Sequence, residues 1–293
     1  MTTAARLRGV IAAIPTPVTR SGEPDIERFM SLAQTLLDTG CDGLNVLGTT
    51  GEATSFGLDQ RMELMTAAAV TLPLTRLMVG TGTSSIADTI RLTRHAAQLG
   101  FAGALILPPF YYKGVTDEGV IDYISRLAEA TASNPVPLYL YHFPALSGVP
   151  FSADIVRELV SRFGVRIAGL KDSSGDMDYA RSIAAIASDL AVFPSNEVSL
   201  LEARDGAFAG CISATASLNA PFCARAFHEG DERALGKAVA IRRLFDGLPL
   251  VPAVKHLIGV TRSDPEYSRV LPPLAYLDVT QVAELAARRG ALS

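Results

Sequence analysis

Residues 166–176 read RIAGLKDSSGD. An apolar run, Ile167-Ala168-Gly169-Leu170, meets Lys171 and then a polar turn, Asp172-Ser173-Ser174-Gly175-Asp176. A short, continuous apolar run closed by a turn is the pattern of a strand covered on both faces. The pattern recurs as VIAAIPTPV (10–18), GLNVLG (43–48), RLMVGTG (76–82), GALILPP (103–109), PLYLYHF (137–143), IAGLKD (167–172), LAVFPS (190–195) and GCISA (210–214). Amphipathic stretches lie between them. ERFMSLAQTLLDTG, IADTIRLTRHAAQLG and SADIVRELVSRFG each end in glycine (Gly40, Gly100, Gly164), a common helix stop. Eight strand-plus-helix units, roughly 25–35 residues apart, predict an α/β fold of the (β/α)8 TIM-barrel type, for which about 250 residues is typical. An open, doubly wound sheet is the alternative, because periodicity does not reveal closure. Residues 1–218 are expected to form the barrel. Residues 219–293, helical in pattern and without strong strands, are expected to form a C-terminal helical region packed on it.

The chain has 293 residues, of which 48% are hydrophobic and 19% charged, with a net charge of −4. That supports a large buried core. Acidic and basic residues are interspersed, so no basic stripe tracks a phosphate backbone and nucleic acid is not an expected partner. No apolar run is long enough to span a bilayer, and no membrane association is expected. The stretch MTTAARLRGVIAAIPTPVTR is broken by Pro15 and Pro17 and lacks the apolar core of a secretion signal. Three unevenly spaced cysteines, Cys41, Cys211 and Cys223, argue against a disulfide framework. A cytoplasmic protein is the expectation.

Lysine is scarce. Of 26 basic residues only Lys113, Lys171, Lys237 and Lys255 are lysine. A lysine amine can lose its proton and attack a carbonyl, which a guanidinium cannot do at neutral pH. In a barrel of this type the active site lies at the C-terminal ends of the strands. Lys171 stands at such an end. After the second strand comes Gly48-Thr49-Thr50-Gly51-Glu52, after the fourth Phe110-Tyr111-Tyr112-Lys113, and at the end of the fifth Tyr139-Leu140-Tyr141-His142. An amine, phenols, hydroxyls and backbone donors together suit carbonyl chemistry through a Schiff base. Each feature alone has a plainer reading: a solvated turn lysine, a core tyrosine, a tight turn in which Glu52 supports the next helix. Their recurrence at one end of successive strands favours the site. The four histidines are scattered without metal-ligand spacing, so no metal is expected. GTGTSS (80–85) lacks the third glycine of a dinucleotide loop and reads as a barrel loop.

PTPV (15–18), GTTGE (48–52), PPFYY (108–112), YHFP (141–144), GLKDSSGD (169–176), GCISATAS (210–217) and VPAVKHLIG (251–259) together resemble the dihydrodipicolinate synthase/N-acetylneuraminate lyase family. The resemblance covers almost the whole chain. It implies a barrel with a helical C-terminal region, a homotetramer, no cofactor, and a lysine that condenses with the ketone of pyruvate or another 2-oxo acid. On the matching positions Lys171 would be that lysine and Tyr141 the proton-transfer tyrosine. Thr49 and Thr50 would serve the carboxylate and a proton relay, with Gly48 allowing close backbone approach. Tyr111 would be lent to a neighbouring subunit's site, and the backbone near Ile212 would face the keto acid.

Three departures bear on the substrate. The motif usually written Y-N-x-P is Tyr141-His142-Phe143-Pro144, which puts His142 among the candidate substrate contacts. Two residues after that proline, where dihydrodipicolinate synthases carry an arginine that grips a carboxylate, stands Leu146. After the seventh strand, Pro194-Ser195-Asn196-Glu197 leaves Glu197 and Ser195 or Asn196 as hydroxyl-binding candidates. The favoured expectation is a pyruvate-releasing aldolase, or a dehydratase, acting on a short 2-keto-3-deoxy sugar acid or 4-hydroxy-2-oxo acid. The alternatives are dihydrodipicolinate synthase itself and a non-catalytic 2-oxo acid binder.

Overall fold

The computed structural model describes residues 6–292. Residues 1–5, where the stretch read against a secretion signal begins, and residue 293 lie outside the described residues. Eight parallel strands lie in the order β7-β6-β5-β4-β3-β2-β1-β8. They are β1 (Gly9–Ala13), β2 (Gly43–Val46), β3 (Leu77–Gly80), β4 (Gly103–Ile106), β5 (Leu138–His142), β6 (Ile167–Asp172), β7 (Ala191–Pro194) and β8 (Gly210–Ser213). Just before β8, the Ala209 N–H donates to the Val192 carbonyl at 2.9 Å, which brings the two ends of the sheet together as a barrel. The open-sheet alternative is therefore set aside.

Helices α1 (Ile26–Asp38), α2 (Leu58–Thr71), α3 (Ile86–Leu99), α4 (Asp117–Ala130), α5 (Pro144–Ser147), α6 (Ala153–Phe163), α7 (Met177–Ala184), α8 (Leu200–Arg204) and α9 (Ala216–Ala224) follow the strands, with α10 (Glu232–Arg243), α11 (Leu250–Arg262) and α12 (Val279–Gly290) after them. The reasons are local. In α1 the Asp25 carboxylate caps the first turn by accepting from the Arg28 N–H, while Phe29, Leu32, Ala33, Leu36 and Leu37 form one buried stripe. Removing each large apolar side chain of that stripe from water contributes about 1.5–3 kcal/mol. Residue 218 lies within α9, the helix that follows β8.

The apolar runs are longer than the strands they contain. VIAAIPTPV stops pairing at Ala13 and GALILPP at Ile106, because the prolines that follow cannot donate to a ladder. Covering on both faces appears as two separate cores. Leu138 and Leu140 of β5 pack outward beneath the helices, whereas Tyr139 and Tyr141 join Ile11, Met78, Leu105, Phe193 and Ile212 in the barrel interior. The Tyr139 ring fills the gap left by a glycine on each neighbouring strand. A Cβ at Gly103 would lie 2.6 Å from that ring, and one at Gly169 would lie 2.8 Å from it and 2.1 Å from the Ala191 carbonyl.

Beta-6 breaks strict alternation, and this decides where Lys171 goes. Leu138 pairs with Ile167, but Tyr139 pairs with Gly169, so Ala168 is an extra residue. Ile167 and Leu170, three apart, both face the outer core. With unbroken period two, Lys171 would share the outward face of Ile167. The bulge turns it into the barrel.

Candidate active site

Lys171 and Tyr141 are directly paired in register on β6 and β5. Both are buried, at 3% and 4% exposure. The Lys171 Nζ sits 4.4 Å from the centre of the Tyr141 ring. A ring face attracts an ammonium without supplying a proton acceptor. The Tyr141 hydroxyl lies 3.2 Å from Thr49 Oγ1, in the turn after β2. Amine, ring and hydroxyl thus run from β6 through β5 to the turn after β2. Thr49, Gly48 and Tyr141 line one cavity, together with Leu105 and Leu107. Thr50, next in the turn, is buried. Ile212 is fully buried in the interior layer on β8.

The turn itself is held from outside the barrel. Leu47 and Glu52 flank it in left-handed conformation, at φ 53° and 54°. Such backbone is strained for a side chain with a Cβ and persists only where the surroundings impose it. Glu52 is not supporting a helix start with its side chain. It forms a fully buried ion pair with Lys255 of α11 and accepts the Leu271 N–H at 2.6 Å. Lys255 also donates to the Thr16 carbonyl at 2.9 Å. Burial pushes the Lys255 amine downward, and Glu52 opposes that shift. This lysine is engaged as a tie, in contrast to Lys171, which faces a ring. The pairing had no short-range signal: 203 residues separate its members.

The remaining expected site residues lie outside the Lys171–Tyr141–Thr49 contacts. His142 alternates to the outer face of β5. There its Nδ1 accepts the Phe151 N–H at 3.0 Å and its ring stacks on Tyr179 at 4.2 Å. This contact holds helix α7 and the chain before α6 against the strand. Glu197 is fully buried. Its Oε1 accepts from Ser213 Oγ at 2.9 Å, from Thr215 Oγ1 and from Asn219 Nδ2 at 3.2 Å. Ser195 is half-buried beside a second cavity described below. Tyr111 is 75% exposed, its ring set edge-on to Tyr112. Lys113 ties that loop to the end of α5 by donating to the Phe110 carbonyl and, at 2.7 Å, to the Ser147 carbonyl. Leu146, in place of the arginine, is 61% exposed. Cys41, Cys211 and Cys223 are buried free thiols. Among the described residues no group of three or more His, Cys, Asp or Glu is placed to hold a metal ion. No helix among them is long and apolar enough to cross a membrane.

The sequence profile of the dihydrodipicolinate synthetase family matches residues 6–255. The chain belongs to that family. An uncharacterized DapA-like lyase of Chloroflexus aurantiacus is 33% identical over 287 residues, covering 96% of this chain and 95% of that one. The crystal structure of dihydrodipicolinate synthase from Agrobacterium tumefaciens str. C58 superposes with a TM-score of 0.90 at 26% identity, over 97% of this chain and 99% of that one. YagE, a prophage protein of the dihydrodipicolinic acid synthase family from E. coli K12, in complex with pyruvate, superposes at 0.87 with 26% identity, over 98% and 99%. As a member of the dihydrodipicolinate synthetase family this chain is a lyase on a (β/α)8 barrel with C-terminal helices.

His142 gives this family member a pH-dependent stability. In the folded chain burial pushes the imidazole down to about 4, against the upward pull of Asp176. In an unfolded chain it titrates near 6.5. Between those values only the unfolded state binds the proton. The contribution is therefore complete above about pH 6.5 and is lost as pH falls towards about 4. It amounts to at most about 3 kcal/mol. His142→Asn removes this titration, so its unfolding free energy should fall less steeply than the wild type's between about pH 7 and 4.5. Denaturant titrations that give parallel curves would exclude the assignment.

Proposed function

We propose that the chain is a class I lyase in which Lys171 forms a Schiff base with a 2-oxo acid. The carrying observation is the buried Lys171 amine over the Tyr141 ring, with the Tyr141 hydroxyl on Thr49. In this reading the neutral amine adds to C2 of the 2-oxo acid, and water leaves as the iminium forms. For a 4-hydroxy substrate, the 4-hydroxyl gives up its proton and the C3–C4 bond breaks. The electron pair moves into the iminium as an enamine, and an aldehyde departs. Protonation at C3 and hydrolysis then release pyruvate and the free lysine. Tyr141 moves the protons, Thr49 passes them on, and Thr50 with the backbone at Gly48 holds the carboxylate. The protonated imine is the electron sink, so the steps need no further cofactor.

We infer a pyruvate-releasing cleavage, or a related dehydration, of a short 2-keto-3-deoxy sugar acid or 4-hydroxy-2-oxo acid. Leu146 supports this, since an alkyl group cannot grip the second carboxylate that aspartate semialdehyde would bring. A homotetramer accompanies the reading, with Tyr111 reaching a neighbouring copy. Tyr111 and Tyr112 are two large rings left in solvent on one tethered loop, which favours a contact there.

The test is a panel of hydroxylated 2-oxo acids assayed for pyruvate release, beside pyruvate with aspartate semialdehyde assayed for condensation. Release from the panel without condensation is expected. Condensation at the higher kcat/KM would return the chain to dihydrodipicolinate synthesis. No turnover and no imine would leave a binding protein.

A further inference from the structure

Around Lys171 the rim of the barrel divides by chemistry. Beyond the last inward residues of β4 and β5 come Leu107 and Phe143, both packed on the interior core. Beyond those of β6 and β7 come Ser173 and Ser195. Each is still in the ladder, since the Ser173 N–H donates to the His142 carbonyl and the Ser195 N–H to the Asp172 carbonyl, both at 2.8 Å. By period two, Ser173 shares the face of Lys171, and Ser195 that of Phe193. A substrate fixed to Lys171 therefore has an apolar flank and a polar flank.

Ser173 and Ser195 of the polar flank also border a cavity of about 260 Å³, together with Ser174, Asn196, Asp172 and Arg242. Arg242 comes from α10, outside the barrel. Its Nη1 is shared among Glu197 Oε2 at 3.4 Å, Ser213 Oγ at 3.3 Å and Thr215 Oγ1 at 3.4 Å, all at the outer limit of a hydrogen bond. The guanidinium is partly open, its side chain 26% exposed. Glu197, fixed through its other oxygen, orients it without using up its donors.

We propose that Arg242, oriented by Glu197, reads the hydroxyl-bearing tail of the 2-oxo acid held on Lys171. The inference rests on the Schiff-base reading above and names the specificity residue of that same site. Charge balance selects the tail. Glu197 already offsets Arg242, and Asp172 borders the same cavity, so a second carboxylate would find no spare positive charge. Burial raises the Asp172 carboxyl, which fits a carboxyl short of cationic partners. Hydroxyls accept from the guanidinium while donating to Asp172 or Asn196, and so match both kinds of group.

The experiment compares wild type, Arg242→Met and Arg242→Lys. Three quantities are read: borohydride trapping of pyruvate, which has no tail; cleavage of a 4-hydroxy-2-oxo acid hydroxylated at C5 and C6; and cleavage of its analogue lacking those two hydroxyls. A dicarboxylic 2-oxo acid of equal length is the fourth substrate. Hydrogen bonds from a charged donor carry about 10–100-fold, so Arg242→Met should lower kcat/KM for the hydroxylated acid by that factor, mainly through KM. The deoxy analogue and pyruvate trapping should be little affected, and trapping also reports that the variant is folded. Arg242→Lys keeps the charge beside Glu197 but loses the planar fork, so its loss should be intermediate. Equal losses for hydroxylated and deoxy substrates, a fall in pyruvate trapping alongside them, or preference for the dicarboxylate would overturn the proposal. Absence of pyruvate trapping in the wild type would instead remove the Schiff-base reading on which it rests.

Discussion

Incubation with pyruvate and borohydride is expected to fix a stable adduct on Lys171 and on no other lysine. The other three have different surroundings. Lys255 is paired with Glu52, Lys113 is spent on two carbonyls, and Lys237 lies over the Phe222 ring at 5.5 Å, on α10. Lys171→Arg sets a guanidinium in place of the amine and removes the nucleophile, so trapping and turnover should both disappear. This is the largest effect expected of any single substitution, since the proposed imine requires the Lys171 amine. Peptide mapping that places the adduct on Lys113, Lys237 or Lys255 would reject the assignment, as would residual turnover in Lys171→Arg.

Tyr141→Phe should reduce kcat by at least about 100-fold with little change in KM, the signature of a group that moves protons in the transition state. The ring that flanks Lys171 stays, and only the hydroxyl facing Thr49 is lost. Tyr139 is the control. It lies two residues deeper in the same interior layer, and among the described residues its buried hydroxyl finds no partner at good hydrogen-bond geometry. Removing an unsatisfied polar atom relieves a desolvation cost, so Tyr139→Phe should hold or raise the melting temperature and leave turnover intact. Stopped assays on both variants decide the matter. If turnover falls in Tyr139→Phe and not in Tyr141→Phe, the proton-transfer role belongs to another residue.

The barrel was legible because each of its eight strands lies within a short apolar run closed by a turn. Their limits were less legible: Ile14 and Leu107 are as apolar as the strands they follow, but the proline-rich chain beyond them leaves the ladder. Of the candidate site, Lys171, Tyr141 and Thr49 could be assigned to one end of the strands from the sequence, but the face that Lys171 takes could not. His142 could have been assigned to the outer face by the alternation that puts Tyr141 inside. Glu197 could not, because its partners Ser213, Thr215 and Asn219 come from β8 and α9. The bulge at Ala168 was also hidden. Nothing in Ile-Ala-Gly-Leu marks an extra residue, and only the pairing with β5 shows that the inward side of β6 changes phase there.

The Glu52–Lys255 ion pair ties the turn after β2 to α11. Lys255→Met would leave a fully buried carboxylate with no counter-charge. Breaking such a pair typically costs about 3–5 kcal/mol, a large share of the roughly 5–15 kcal/mol by which a folded protein is stable. The turn that carries Thr49 would lose its anchor in the same event. Loosening of α11 is therefore expected to reach the turn that carries Thr49, on the far side of the ion pair.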